Sequence, residues 1–335
     1  MASGQRSILV TGGAGFIGSH LCERLVAAGD RVVCYDNFDL FYDPAIKRRN
    51  ISSLRFNALF AVVEADILDQ RQLSSAIERF GITHIVHLAA LAGVRASFDD
   101  PVRYQTVNVC GTTAVLEAAK VYGIRRIVVA SSSSVYGQTI RVPLREDDLD
   151  VRPISPYAAS KLSAENIASV YARTYDLDVF CLRFFTVYGP RQRPDMAISK
   201  FTARILAGRP IEVYGDGSAK RDFTYVDDIV DGIVAAADSE SCRGFQVINL
   251  GADRTTQVRD LIELIGAKLG RSPIVDYRPA AMGDVEVTRA CIEKARRILD
   301  YWPSTRLSDG LAKYIAWIDC GREKESALVD LAAAK

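Results

Sequence analysis

SILVTGGAGFIGSHL, residues 7–21, is the stretch that decides the fold. A short apolar run ends at Thr11, and a second run with helical spacing opens at Phe16. Between and just beyond them stand Gly12, Gly15 and Gly18, the spacing of a strand-to-helix turn that approaches a pyrophosphate. The first glycine permits the tight turn, the second admits the phosphates, and the third packs helix against strand. The helix N-terminus then faces the negative charge. Phe16 and Ile17 at the helix start join this cofactor set. Asp36 closes the next apolar run, RVVCY (31–35), where a carboxylate accepts from both ribose hydroxyls and repels a 2′-phosphate. NAD is therefore expected over NADP. Asp66 ends a third run, ALFAVVEAD (58–66), and reads equally as an adenine contact or as the N-cap of the following helix.

Outward from that turn, THIVHLA (83–89), RIVVAS (126–131) and VFCLRF (179–184) alternate with helix-length segments at 15–28, 70–80, 101–122 and 156–175. Nearly continuous apolar strands suit a parallel sheet covered on both faces. The expected fold is α/β: a Rossmann-type, doubly wound parallel sheet with a smaller mixed α/β substrate-binding domain. After about residue 184 the pattern loosens through GPRQRPD and GDGSAKRD, with helices expected at 197–207, 226–237, 258–269 and 308–320. The expected division is a cofactor domain over 1–183, to which roughly 222–250 return, and a mainly substrate-binding domain over 184–335. The Ala-rich stretch 328–335 reads as a frayed helix or tail.

Composition narrows the function. The 335 residues are 49% hydrophobic and 25% charged, with 42 Lys and Arg against 41 Asp and Glu. A net charge of +1 argues against a nucleic-acid or membrane-surface binder. No apolar run approaches the roughly 18 residues of a membrane span, and the N-terminus lacks the pattern of a signal peptide. Seven cysteines are scattered without ligand spacing, so neither a disulfide frame nor a metal site is expected, and the setting is expected to be cytoplasmic. With only His20, His84 and His87 available, proton chemistry falls to Tyr, Lys, Ser, Asp and Glu.

Ser155-Pro156-Tyr157 reads as a helix start, and Tyr157 and Lys161 then share one face. A tyrosine hydroxyl titrates near about 10 in isolation. A neighbouring ammonium and a nicotinamide cation both stabilise its phenolate, which makes it a usable base. YxxxK alone also fits an exposed helix face. It gains weight from ASSSSVYG (130–137), which ends the fifth strand on the cofactor side with hydroxyls able to hold a substrate hydroxyl.

The glycine turn, HLAA (87–90), SSSSVYG (131–137), YAASK (157–161) and LRFFTVYGP (182–190) resemble the extended short-chain dehydrogenases/reductases that act on nucleotide sugars. The similarity runs from about residue 7 to 320. Within that family DNFDLFYDPAIKRRN (36–50), LAGVRASFDDP (91–101), FFTVYGPRQRPDMA (184–197) and KRDFTYVDDI (220–229) look most like the UDP-glucuronate 4-epimerases. The resemblance implies Tyr157 as base, Lys161 on the nicotinamide ribose and Ser132 as the hydroxyl partner. It places Asp36 and Asn37 on the adenosine ribose, Asp66 and Ile67 on the adenine, and Leu88, Ala89 and Ala90 on the nicotinamide side. On the substrate, Tyr214 would stack on uracil, Arg221 pair with the diphosphate and Asp284 hold the uridine ribose. Ser133, Ser134, Arg95, Thr186, Arg193 and Met196 fall to the sugar and its carboxylate. Arg193 reads equally as a surface charge in an exposed turn. Similar epimerases form dimers through helices like those at 102–122 and 158–175.

The implied reaction is reversible oxidation at C4 of the sugar and return of hydride to its other face, so the cofactor is regenerated each turnover. Family dehydratases carry Asp-Glu immediately before VYG and UDP-glucuronate decarboxylases carry Glu there; this chain has Ser133-Ser134. UDP-glucose 4-epimerase is the closest rival, and a non-catalytic NAD-binding sensor on the same fold is a further alternative. Two departures from relatives stand at the nucleotide edge: Ala281-Met282-Gly283-Asp284 in place of an Arg- or Gln-Pro-Gly-Asp run, and Cys291 in place of Asp.

Overall fold

Ser7–Thr11 (β1) sits near the middle of a seven-stranded sheet. The others are Arg31–Asp36 (β2), Phe60–Glu64 (β3), His84–His87 (β4), Arg126–Ser132 (β5), Asp178–Phe184 (β6) and Phe245–Leu250 (β7). The spatial order is β7-β6-β5-β4-β1-β2-β3, and every pairing is parallel. This computed structural model describes residues 5–138, 141–148, 151–240, 243–279 and 283–322. Its architecture is the expected Rossmann type. The order reverses between β1 and β4, and the crevice at that switch point is where such sheets bind ligands.

Alternating side chains explain why both faces are covered. Ile8, Val10, Val32 and Val128 belong to one buried cluster, while Leu9, Val33, Ile85 and Val129 belong to another. Each strand thus removes apolar surface from water on two sides, and burial of each such side chain is worth about 1.5–3 kcal/mol.

The helices Gln70–Phe80, Pro156–Tyr175 and Val258–Leu269 coincide with the segments expected from periodicity. Pro156–Tyr175 begins on Ser155, whose side chain accepts from the Ala158 N–H, as the sequence pattern requires. Asp69, not Asp66, caps the helix Gln70–Phe80, so the capping alternative for Asp66 falls. The expected single helix over 101–122 is interrupted. It runs as Pro101–Gln105, a π-helical turn Thr106–Cys110, and Gly111–Val121. Within the π-turn Asn108 turns to the neighbouring loop, bonding both the Leu91 N–H at 2.8 Å and the Leu91 carbonyl at 2.9 Å. Thr112 and Thr113 donate back to the Asn108 and Val109 carbonyls, a pattern that bends helices. The helix expected over 308–320 is Leu307–Trp317 followed by a π-turn, Ile318–Arg322. The Ala-rich stretch 328–335 lies outside the described residues, as do Ala281 and Met282.

After β6 the chain forms three two-stranded pairs before and after its return to the sheet as β7. Thr186–Tyr188 pairs with Phe223–Tyr225, Ile211–Tyr214 with Val275–Arg278, and Lys220–Arg221 with Thr256–Gln257. Asp222 knots these together. Its buried carboxylate accepts from the Ala252 N–H at 2.7 Å, the Ala290 N–H at 3.0 Å and the Thr224 hydroxyl at 3.0 Å. Burial nevertheless pushes its pKa up to about 6, against those donors.

Candidate active site

A cavity of about 550 Å³ opens at the switch point. The glycine turn forms its floor. Gly12 has φ +69°, and a Cβ there would meet the Ala89 nitrogen at 2.7 Å; one on Gly18 would meet the Gly12 carbonyl oxygen at 2.2 Å. Backbone therefore lies bare where a pyrophosphate would pass. Asp36 is buried and accepts from the Ala14 N–H at 3.1 Å and the Phe38 N–H at 2.8 Å. Burial raises its pKa, opposed by the Lys47 ammonium 4.0 Å away and those two donors. Asn37 donates to Asp66 at 2.8 Å, which sets a polar pair at the far end. Gly15, Phe16, Ile17, Ile67, Leu88, Ala89 and Ala90 complete this half of the lining.

The other half carries the proton-transfer candidates. Tyr157 and Lys161 project from one face of their helix into the cavity beside Ser132, Ser133 and Ser134 from the end of β5. Burial pushes the Tyr157 phenol above its ordinary value, against a hydrogen bond with Ser132 and the charge of Arg193. Lys161 donates to the Ala130 carbonyl at 2.8 Å, and burial lowers its pKa to about 8. The Arg193 guanidinium is thus a cation that favours the Tyr157 phenolate here. Ser132 accepts from the Ser134 N–H at 3.1 Å, which holds its hydroxyl in place. Tyr104 packs edge-on against Tyr157 with ring centroids 6.2 Å apart.

Arg193 is no surface charge. Its Nε and Nη2 donate to Asp195 at 2.9 and 2.7 Å, and Nη2 also reaches the Ala92 carbonyl at 3.3 Å. Burial of Asp195 is outweighed by this guanidinium, so its carboxyl stays below the ordinary value. Thr186 and Met196 line the same wall.

Four expected substrate residues stand off the cavity wall, but together. Asp284 bridges Arg95 at 3.1 Å and Arg221 at 3.5 Å, and the Arg95 guanidinium lies 4.0 Å over the Tyr214 ring. Gly283 faces Val94, which does line the cavity, so the cluster forms a rim beside it. The Tyr214 ring face, expected from the sequence to stack on uracil, is here covered by Arg95. Cys291 lies apart from both, buried with its N–H on the Leu144 carbonyl at 2.9 Å.

Sequence reading missed Lys47, Phe41 and Tyr42, which line the cavity from the segment after β2. Lys47 donates to the Asp39 carbonyl at 3.0 Å, and burial lowers its pKa. Asp43-Pro44, a cap and first-turn proline, mark the start of the helix Pro44–Asn50 on which Lys47 is buried, though not which of its basic residues turns inward. His87 is fully enclosed between Thr11 at 2.7 Å and Thr112 at 3.1 Å, and burial with the nearby Lys161 charge lowers its pKa to about 3. It offers no base at neutral pH. Among the described residues no group of His, Cys, Asp and Glu is arranged to hold a metal, and no helix is long and apolar enough to cross a membrane.

Residues 8–251 match the model of the NAD dependent epimerase/dehydratase family. The chain belongs to that family. It is 39% identical to a UDP-glucuronate 4-epimerase of Thermodesulfobacterium geofontis over 311 residues, 92% of this chain and 95% of that one. Among solved structures, a UDP-glucuronic acid 4-epimerase from Bacillus cereus, in complex with UDP-glucuronic acid and NAD, superposes with TM-score 0.89 at 38% identity, covering 94% of this chain and 99% of that chain. A UDP-glucose 4-epimerase from Thermotoga maritima with UDP-glucose gives 0.84 at 32% identity, with coverage of 94% and 99%.

Proposed function

We propose that the protein is an NAD-dependent UDP-glucuronate 4-epimerase, an isomerase that interconverts UDP-glucuronate and UDP-galacturonate through a transient 4-keto sugar. The observation that carries this reading is Arg193 set into the same cavity wall as Tyr157 and Ser132–Ser134. A guanidinium there matches a sugar carboxylate, and no side-chain acid stands before Val135 to direct elimination or decarboxylation.

The bare glycine turn and the Asp36 carboxylate fit NAD. When bound, NAD would supply the hydride acceptor for C4 of the sugar and the source of the returning hydride. Ser132 holds the C4 hydroxyl and Tyr157 takes its proton, then gives it back after the sugar has turned over. Lys161, anchored on Ala130, holds the nicotinamide ribose. A 4-keto glucuronyl group is a β-keto acid and loses CO₂ when its carboxylate aligns with the carbonyl π system. Ser133, Ser134, Thr186 and Arg193 hold the carboxylate out of that alignment. At the rim, Arg221 takes the diphosphate, Asp284 the uridine ribose and Tyr214 the uracil once Arg95 has moved off its ring.

Further parts of the reading are the domain division at about residue 184, a cytoplasmic setting for a chain with buried free Cys22, Cys34, Cys181 and Cys291, and a homodimer. The dimer would bury Val102, Val121 and Val170, all exposed on the helices around the π-turn and on Pro156–Tyr175. Light scattering on the purified protein tests that state directly.

Proton NMR with mass detection tests the reaction. UDP-glucuronate should give UDP-galacturonate at unchanged mass, with little reaction of UDP-glucose. Loss of CO₂ would make the protein a decarboxylase, and turnover of UDP-glucose alone would move it to the rival epimerase. No change in either, even with added NAD, would leave a sensor or another sugar.

A further inference from the structure

One turn further along the face that carries Tyr157 and Lys161 lies a buried charge cluster with no part in the reaction above. Glu165 follows Lys161 by one helical turn and is fully enclosed. Its carboxylate accepts from Arg183 on β6, Nε at 2.9 Å and Nη2 at 2.7 Å, and from the Ser131 hydroxyl on β5. The Arg183 guanidinium lies 4.7 Å over the Tyr136 ring, and the Tyr136 hydroxyl donates to Asn249 on β7 at 2.7 Å. One carboxylate thus ties the helix to two strands directly and to a third through its partners.

Two features separate this cluster from ordinary packing. Against the sheet's buried cluster the helix sets Ala168 and Ala172, small side chains that resist sliding weakly, whereas three directed hydrogen bonds to one carboxylate admit a single height. As a stabilising device the cluster is also poor. Arg183 Nη1 is buried without a hydrogen-bond partner, and apolar residues of similar volume commonly replace a buried ion pair without loss. What the cluster does supply is position: Ser131 adjoins Ser132, and Lys161 is one turn from Glu165.

We infer that Glu165 is a positioning residue, which through Ser131 and Arg183 sets the height of the Tyr157–Lys161 helix against the strand end that carries Ser132. This rests on the proposed 4-epimerase reaction, in which the Tyr157 and Ser132 hydroxyls act on one substrate oxygen.

The test compares wild type, Ser131→Ala, Ser131→Thr and the double variant Glu165→Met/Arg183→Met. Each is measured for kcat and KM with UDP-glucuronate, bound NAD and thermal unfolding. The double variant should fold and keep its NAD and its KM, while kcat falls roughly a hundredfold, the scale of an ångström-sized misplacement. Ser131→Ala should lose about tenfold in kcat alone, and Ser131→Thr should recover most of it. Should the double variant not fold, the Ser131 pair decides by itself. Wild-type kcat in Ser131→Ala or in the folded double variant overturns the inference, as do losses confined to KM or to NAD content. A wild type inactive on UDP-sugars removes the reaction itself, a different failure seen before any variant is compared.

Discussion

The floor of the cavity and its rim are built on opposite plans. On the floor, Gly12, Asp36, Lys161 and Tyr157 are held by backbone or by enclosed partners, and neither the turn nor the carboxylate has room to move. On the rim, Arg95, Tyr214 and Asp284 are exposed, and each pairs with another charge or ring. A rigid floor suits a cofactor that stays bound through every turnover. A rim of exchangeable pairs suits a nucleotide that must come and go, since exposed ion pairs are worth only about 0–1 kcal/mol and part at little cost.

The contrast can be broken by substitution. Tyr157→Phe should lower kcat by about 10³-fold, within the range for removing a positioned acid–base group, while bound NAD is unchanged; full turnover would remove the catalytic reading. Gly18→Ala should abolish NAD retention, because its new Cβ has only backbone to push against; ultraviolet absorbance of the purified protein reports it. Lys161→Met separates floor from stability. Burial holds this lysine near 8 against an ordinary 10.5, so the folded state binds its proton less readily than the unfolded chain. The resulting cost is complete below about pH 8 and is relieved as pH rises toward 10.5. Lys161→Met should therefore lose turnover yet gain on the order of 1–3 kcal/mol in cofactor-free unfolding at pH 7, with that gain shrinking at alkaline pH. Arg193→Ala should release CO₂ from UDP-glucuronate and raise KM; variants of Arg193 and Ser134 that release none beyond wild type would remove the carboxylate role. Smallest of all, Arg95→Ala should change KM by no more than about threefold, in keeping with an exposed pair.

Legibility in the sequence follows the same division. The turn at 12–18, the apolar strands and the Tyr157–Lys161 face could be read because backbone conformation and period-based burial leave a local pattern. The break at Asn108 could not, since its cause is a loop at Leu91 and the helix start around it looks regular. Arg193 stood undecided because its neighbours in GPRQRPD suggest a surface turn; only the Ala92 carbonyl and the cavity wall give it an enclosed position. Lys47 was hidden for a different reason. It sits in a basic run, PAIKRRN, where one of three basic side chains turns inward and the sequence does not mark which.

The late return of the chain to the sheet bears on how the protein is made. β6 ends at Phe184, yet the strand that covers its outer edge, β7, begins only at Phe245. A nascent chain that has emerged only as far as the rim segments presents Phe180, Cys181 and Leu182 along an open, apolar edge of the kind that recruits other strands. The same holds for any fragment cut after β6. A chain truncated after β6 is therefore expected to associate through that edge, and a chain extended through Leu250 covers it with its own strand.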